Sequence, residues 1–215
     1  MKPLVSTPRT KHHRKPVRGS YDRELAYAIL DEALVAHVGF AVDGAPFVIP
    51  MFYARQGDSL ILHGAAASRF LEHGAAGLPL CVTVTLLDAL VLARSAFHHS
   101  VNYRSVVLMG TATEIVEREA KLAAAAAFVD HAVAGRSREV RAPTDKELGA
   151  TKMLAMPIDE GSVKMREGGP IDDVEDFDVP CWSGIIPVAL TASTPLADPR
   201  THEPVPATLT SYRRR

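Results

Sequence analysis

The chain has 215 residues, 47% hydrophobic and 23% charged, a balance that suits one globular domain with a sizeable core. Its formal net charge of −1 lacks the basic excess of a nucleic-acid-binding protein. No apolar run reaches the roughly 18 residues of a membrane span, and no apolar signal-peptide core follows the basic N-terminus. A cytoplasmic protein without nucleic-acid or membrane partners is expected. Cys81 and Cys181 are too few for a disulfide framework or a zinc pattern, and their apolar surroundings predict buried free thiols.

Residues 1–19 are basic and proline-interrupted and read as a flexible arm; its His12-His13 pair is expected to be solvated. "SYDRELAYAILDEA" predicts the first helix, with Ser20 as a plausible N-cap and Leu25, Ala28, Ile29 and Ala33 on one face. "LVAHVGFAV" and "PFVIPMFYA" flank Asp43-Gly44, a pair that accepts the positive φ angles of a two-residue hairpin. A turn at Gln56-Gly57-Asp58 leads into "SLILHG", and "ASRFLEHGAAG" reads as a short helix starting near Ala67 or Ser68. "LPLCVTVTLL", "LVLAR" and the long "YRSVVLMGTATEIVE" supply further strands. "EREAKLAAAAAFVDHAV" is a helix by propensity, and Thr144 with Glu147 forms a capping box for another. "MLAMPI" and "SVKMR" complete the β content. An acidic, Pro/Gly-rich segment from Glu167 and an irregular tail over 191–215 follow. The order β-β-β-α-β-β-β-α-α-β-β predicts an antiparallel sheet or barrel with helices outside, mainly β overall. Neither a Gly-x-Gly-x-x-Gly motif nor a P-loop occurs.

Four stretches carry candidate chemistry. In "ARSAFHHSVNYRSVVLMG" the adjacent His98 and His99 would point apart on extended chain, and no carboxylate is near in sequence, so a metal site is disfavoured. No nucleophile elbow accompanies its serines. Arg94 and Arg104 with Ser100, Asn102 and Ser105 suit an anion, the alternative being a solvated strand end. "LHGAAASRF" places Ser68 and Arg69 at the start of a helix behind His63 and Gly64, which fits a phosphate. Pro50 in "VIPMFY" belongs at a strand edge or bulge, where free backbone groups can meet a heteroaromatic ring. Trp182, the one tryptophan, is a candidate cap for a planar ligand, with packing as the alternative.

These stretches, together with "KMREGGPIDDVED" and "WSGIIP", resemble the FMN-binding split-barrel family of pyridoxamine 5′-phosphate oxidase-like proteins. The likeness is to its flavin-nucleotide-binding branch, related to the nitroimidazole-resistance proteins, and it spans roughly residues 20–190. The resemblance implies a six-stranded antiparallel split β-barrel with flanking helices, usually a homodimer with FMN between the subunits. Carried onto this chain, backbone around Ile49, Pro50 and Met51 would face the flavin ring, with His63 and Gly64 beside it. Ser68 and Arg69 would hold the phosphate, and Asn102, Tyr103, Arg104 and Ser105 would complete the site. His63 is also the implied substrate contact. The arginine-and-histidine signature by which true pyridoxamine phosphate oxidases hold their substrate has no clear counterpart here. The expected function is FMN-dependent oxidoreduction of a small molecule, with NADPH or NADH as a candidate donor. The rivals are a flavin carrier or sensor without turnover, and a haem-binding split barrel with His63, His98 or His99 as axial ligand.

Overall fold

The computed structural model describes residues 1–66, 69–75, 77–210 and 212, the side chains of Arg69, Glu72 and His73 excepted. Among these residues the strands form one antiparallel sheet of ten, which does not close on itself. Its strands are β1 (Gly19–Ser20), β2 (Val35–Val42), β3 (Ala45–Gln56), β4 (Ser59–Ala65), β5 (Pro79–Leu92), β6 (Ser100–Thr111), β7 (Thr113–Glu114), β8 (Thr151–Pro157), β9 (Glu160–Arg166) and β10 (Gly184–Pro187). The order across the sheet is β1-β9-β6-β5-β2-β3-β4-β8-β7, with β10 on β5. The six strands expected are exceeded partly because β1, β7 and β10 are short additions of two to four residues. The helices are α1 (Arg23–Glu32), α2 (Arg69–Ala75), α3 (Arg118–Ala132), α4 (Asp145–Ala150) and the short α5 (Ala207–Thr210).

Local chemistry sets several of these boundaries. Asp43 and Gly44 take φ values of 51° and 78°, as a two-residue hairpin requires, and Val42 pairs with Ala45 across it. The capping box at Thr144 is formed in both directions. The cap of α1 is Asp22, not Ser20: the Asp22 carboxylate accepts from the amides of Glu24 and Leu25, while the Ser20 hydroxyl accepts from the Asp22 amide. A carboxylate there meets both the orphan amides and the positive end of the helix. The two strands expected over 78–94 are one, β5, with its register shifted between Leu87 and Ala89 so that Asp88 sits in a bulge. The long strand expected over 103–117 instead breaks at the buried Ala112, where the chain passes from β6 to β7 on the far side of the sheet.

The main core lies on the inner face, where Val38, Val82, Val84, Val106, Leu108 and Val163 meet Ile29 and Leu30 of α1. A second cluster covers the outer face at the other end: Ala124 and Phe128 of α3 pack on Ala54, Ile61 and Met153. Arg23, 7% exposed, ties α1 down through bonds to the carbonyls of Lys2 and Ile158 and to Tyr27. The segment expected to be a flexible arm meets the sheet within its first ten residues. Leu4 is buried, the Leu4 and Val5 amides bond the carbonyls of Tyr21 and Asp159 at 2.8 Å, and Arg9 and Thr7 both reach Glu160. A single apolar anchor at Leu4 outweighs the polar character of what surrounds it. Neither cysteine is buried: Cys81 is half-buried on the outer face and Cys181 is exposed. Among the described residues no helix is long and apolar enough to cross a membrane.

Candidate functional site

The free edge of β3 follows from two hairpins. Each closing pair, Val42–Ala45 and Gln56–Ser59, is the hydrogen-bonded kind in a two-residue turn, and such pairs alternate along an antiparallel ladder. Both hairpins give the same parity. Odd-numbered residues of β3 turn their amides and carbonyls to β2, and even-numbered ones turn them away. Strand β4 pairs with β3 from Tyr53 onward; among the described residues no strand pairs with that side over residues 45–50. Pro50 therefore loses no ladder bond, because its nitrogen faces outward. The available groups are the Val48 amide and the carbonyls of Pro46, Val48 and Pro50. Of the residues expected to face a ring, Pro50 turns its backbone groups to the open edge, whereas the amides of Ile49 and Met51 face β2.

On β4, Gly64 lies against α2: a Cβ there would stand 2.9 Å from Leu71 Cδ1, so the strand and helix approach closely. Ser68 and the side chain of Arg69, the expected phosphate holders, lie outside the described residues. His63 points to the outer face. Its ring centroid is 4.1 Å from that of Phe128, and it lines a cavity of about 480 Å³ with Val129, Leu148, Met153 and, at the rim, Arg141 and Glu147. Its Nδ1 is buried without a hydrogen-bond partner, and burial pushes its pKa below the ordinary histidine value. The ring is a neutral one facing a mainly apolar space.

The β6 residues are bound up in internal networks. Asn102, 6% exposed, accepts from the Arg166 guanidinium and donates to the Gly168 carbonyl at 3.0 Å. Arg166 is a buried cation whose acceptors among the described residues are all neutral, the others being the carbonyls of Gly168 and Gly169. Burial, reinforced by the charge of Arg18, lowers its pKa. Arg104 is clamped between Glu32 (2.5 and 2.8 Å) and Asp88 (2.8 to 3.2 Å), and these two carboxylates push its pKa well up. The Ser105 hydroxyl donates to the Lys164 carbonyl. Tyr103 lies half-buried opposite Leu87. Arg104 also borders a groove of about 580 Å³ with Val35, His37, Leu87, Asp88 and Leu190. Trp182 is 65% exposed, and its indole lies over Gly184.

The two halves of the expected site do not meet within one chain. Strands β5 and β2 separate β6 from β3, so the Asn102–Ser105 run and the β3 edge stand three strand spacings apart, roughly 14 Å. Nor do the histidines of "HHS" stand alone. His98 Nε2 is 3.0 Å from Asp173, a carboxylate 75 residues later, and His99 Nδ1 faces the Ser95 carbonyl at 2.9 Å. Arg94 bonds Asp172 through its amide and its guanidinium. Sequence reasoning missed Glu32, Asp88, Arg166 and Asp172. Only the acid-rich "PIDDVED", which contains no basic residue to pair its carboxylates, carried a signal that they would be met by a cation from elsewhere in the chain.

Residues 22–165 match the model of the family described as pyridoxamine 5′-phosphate oxidase. Among curated proteins none matches. The flavocytochrome Anf3 from Azotobacter vinelandii is 38% identical, with a TM-score of 0.90 over 98% of this chain and 99% of its own. An FAD and heme binding protein from Mycobacterium smegmatis is also 38% identical, with a TM-score of 0.86 over 90% and 97%. A candidate 5-nitroimidazole antibiotic resistance protein from Bacteroides thetaiotaomicron shares the fold at 22% identity, with a TM-score of 0.55 over 67% and 86%. By its sequence match and its sheet alike, the chain belongs to the pyridoxamine 5′-phosphate oxidase family.

Proposed function

We propose that this chain is a flavin-dependent oxidoreductase of a small molecule, working as a homodimer. The observation that carries the reading is the open edge of β3. One amide donor at Val48 and carbonyl acceptors at Pro46, Val48 and Pro50 suit the mixed donor–acceptor rim of an isoalloxazine ring. The donor set of this chain thus fits a flavin, and the flavin when bound supplies the hydride or electron transfer. The chain's own part is to hold the ring at the β3 edge and to present a neutral imidazole in the His63 cavity. The resemblance implied FMN; the Mycobacterium smegmatis protein at 38% identity supports FAD, which is the form we propose.

A partner subunit is favoured by what the outer face leaves uncovered. Val35, Leu87 and Leu190 are exposed along the groove that Arg104 borders, and Val48 is exposed on the same face of the sheet as Val35. A second copy laid across this face would bring its own Asn102–Ser105 run towards the β3 edge. Absorbance of the purified protein, chromatography of the released cofactor and anaerobic reduction by NADPH or NADH test the reading together. A colourless protein indifferent to added FAD and FMN refutes it, and bound flavin that no donor reduces leaves a carrier. Replacing Arg69 with alanine is expected to weaken flavin binding by about 1.5–3 kcal/mol, the value of a charge-assisted bond to phosphate.

A second reading adds haem to the flavin, on the strength of the His63 cavity and of the heme in the Mycobacterium smegmatis relative. A half-buried imidazole whose Nδ1 lacks a hydrogen-bond partner, walled by Phe128, Leu148 and Met153, fits an axial ligand in an apolar pocket. A Soret band that His63→Ala abolishes while flavin remains bound would support it. Its absence from protein reconstituted with hemin would sink it.

A further inference from the structure

We propose that His98, Asp173 and Asp176 form a site for a divalent metal ion, zinc by the chemistry of its donors, where the acidic loop crosses the start of β6. One ligand atom from each residue lies within 4.8 Å of the other two. The imidazole is aimed: the 3-10 turn of Ala96–His98 is closed by the His98 amide on the Ser95 carbonyl, and the Phe97 ring meets the His98 ring nearly edge-on at 82°. The carboxylates are aimed as well. Asp173 caps a second 3-10 turn, Val174–Asp176, whose closing bond runs from the Asp176 amide to the Asp173 carbonyl at 3.0 Å. With Asp173 at the entry of this single turn and Asp176 at its end, the two carboxylates come within 4.8 Å of each other.

The surrounding charge points to a cation. Among the described residues neither Asp173 nor Asp176 is paired with a lysine or arginine, whereas the adjacent Asp172 is taken by Arg94 and Ser183. Asp173 is 71% exposed, so the cluster opens to solvent. One imidazole and two carboxylates with open positions make a donor set for zinc or manganese, not for a soft ion that needs thiolate. His99 takes no part, because its Nδ1 faces the Ser95 carbonyl. A chelating pair of adjacent histidines is thereby replaced by one histidine and two acids from a distant loop. An ion here would staple that loop to the sheet and fix the approach of Trp182 and β10.

The test uses the full chain, treated with a chelator and then freed of it, with its bound cofactor left in place. Zinc chloride is titrated in by calorimetry while the emission of Trp182, the one tryptophan, is followed. The expected result is one saturable zinc per chain with a change in emission. His98→Gln and Asp176→Asn should each weaken it at least about tenfold. A double His12→Ala, His13→Ala variant should bind as the parent does, since that pair is the rival site. Matching thermal unfolding of all variants without zinc shows that each is folded. Absence of saturable binding, an affinity untouched by His98→Gln, or loss of binding in the His12/His13 variant overturns the proposal. The His98–Asp173 contact would then be a hydrogen bond alone.

Discussion

Replacing Asn102 with leucine, which keeps the branched outline of the side chain but removes its polar atoms, should be among the most damaging single changes in this part of the structure. The Asn102 amide accepts from Arg166 and donates to Gly168. The first bond serves a charged donor, worth about 1.5–3 kcal/mol, and the second a neutral pair, worth about 0.5–1.5 kcal/mol. The Gly168 carbonyl keeps Arg166 as a donor at 3.2 Å, so the second loss is partly covered. The net cost is about 2–4 kcal/mol, because a guanidinium 5% exposed cannot turn to water. For a chain of this length that lowers the melting temperature by about 5–15 °C. Urea unfolding followed by circular dichroism, at one fixed protein concentration, reads the loss as a lower midpoint at unchanged slope. Asn102→Asp keeps an acceptor for Arg166 and should lose less at neutral pH. A leucine variant within about 0.5 kcal/mol of the parent would refute the reasoning, since Arg166 would then not depend on Asn102.

Glu147 has a carboxyl held down to about 2 by Arg141 and by the capping bonds of Thr144. A carboxyl lowered on folding stabilises above its unfolded value of 4.5 and loses that contribution as pH falls towards 2. An NMR titration should therefore find its midpoint near 2, and a midpoint near 4.5 would contradict the pairing. His63 behaves in the opposite chemical sense. Burial lowers its pKa from 6.5, so the unfolded chain takes up the proton first and stability falls as pH drops below that value. His63→Leu should flatten that part of the stability profile, and an imidazole titrating at or above 6.5 in the folded protein would refute it. Gly161→Ala should destabilise by about 1–3 kcal/mol, because its Cβ would sit 2.7 Å from the backbone oxygen of Val107, which cannot swing aside. A neutral effect in urea unfolding would show that β6 and β9 can spread apart.

What was legible in the sequence is what its neighbours in sequence decide. Asp43-Gly44 makes its own turn, Thr144 and Glu147 cap each other, and the apolar alternation of β5 and β6 chooses a face whatever lies opposite. The family, too, could be read from "ARSAFHHSVNYRSV" and its companions. The partners of the polar residues could not. Arg104 looked like a cation for a ligand, yet Glu32 and Asp88 take it, one from the end of a helix and one from a bulge that no local rule marks. Cys181 has apolar neighbours in sequence and still lies on the surface, because the segment around it crosses the outside of the sheet. Hydrophobic pattern reports burial only where regular structure fixes which way a side chain turns.

The open edge of β3 has a bearing on how the protein avoids its own kind. An uncovered strand reading Ala-Pro-Phe-Val-Ile-Pro, exposed over residues 45–48, is the sort of segment on which chains stack into fibrils. Parity places both Pro46 and Pro50 with their nitrogens outward, so along six residues that edge offers a single amide, at Val48. A further strand needs a run of donors to zip on, and here it would find one. A small planar molecule asks for no more than that. The two prolines act as gatekeepers, closing the edge to polymerising backbone while leaving it open to a ligand.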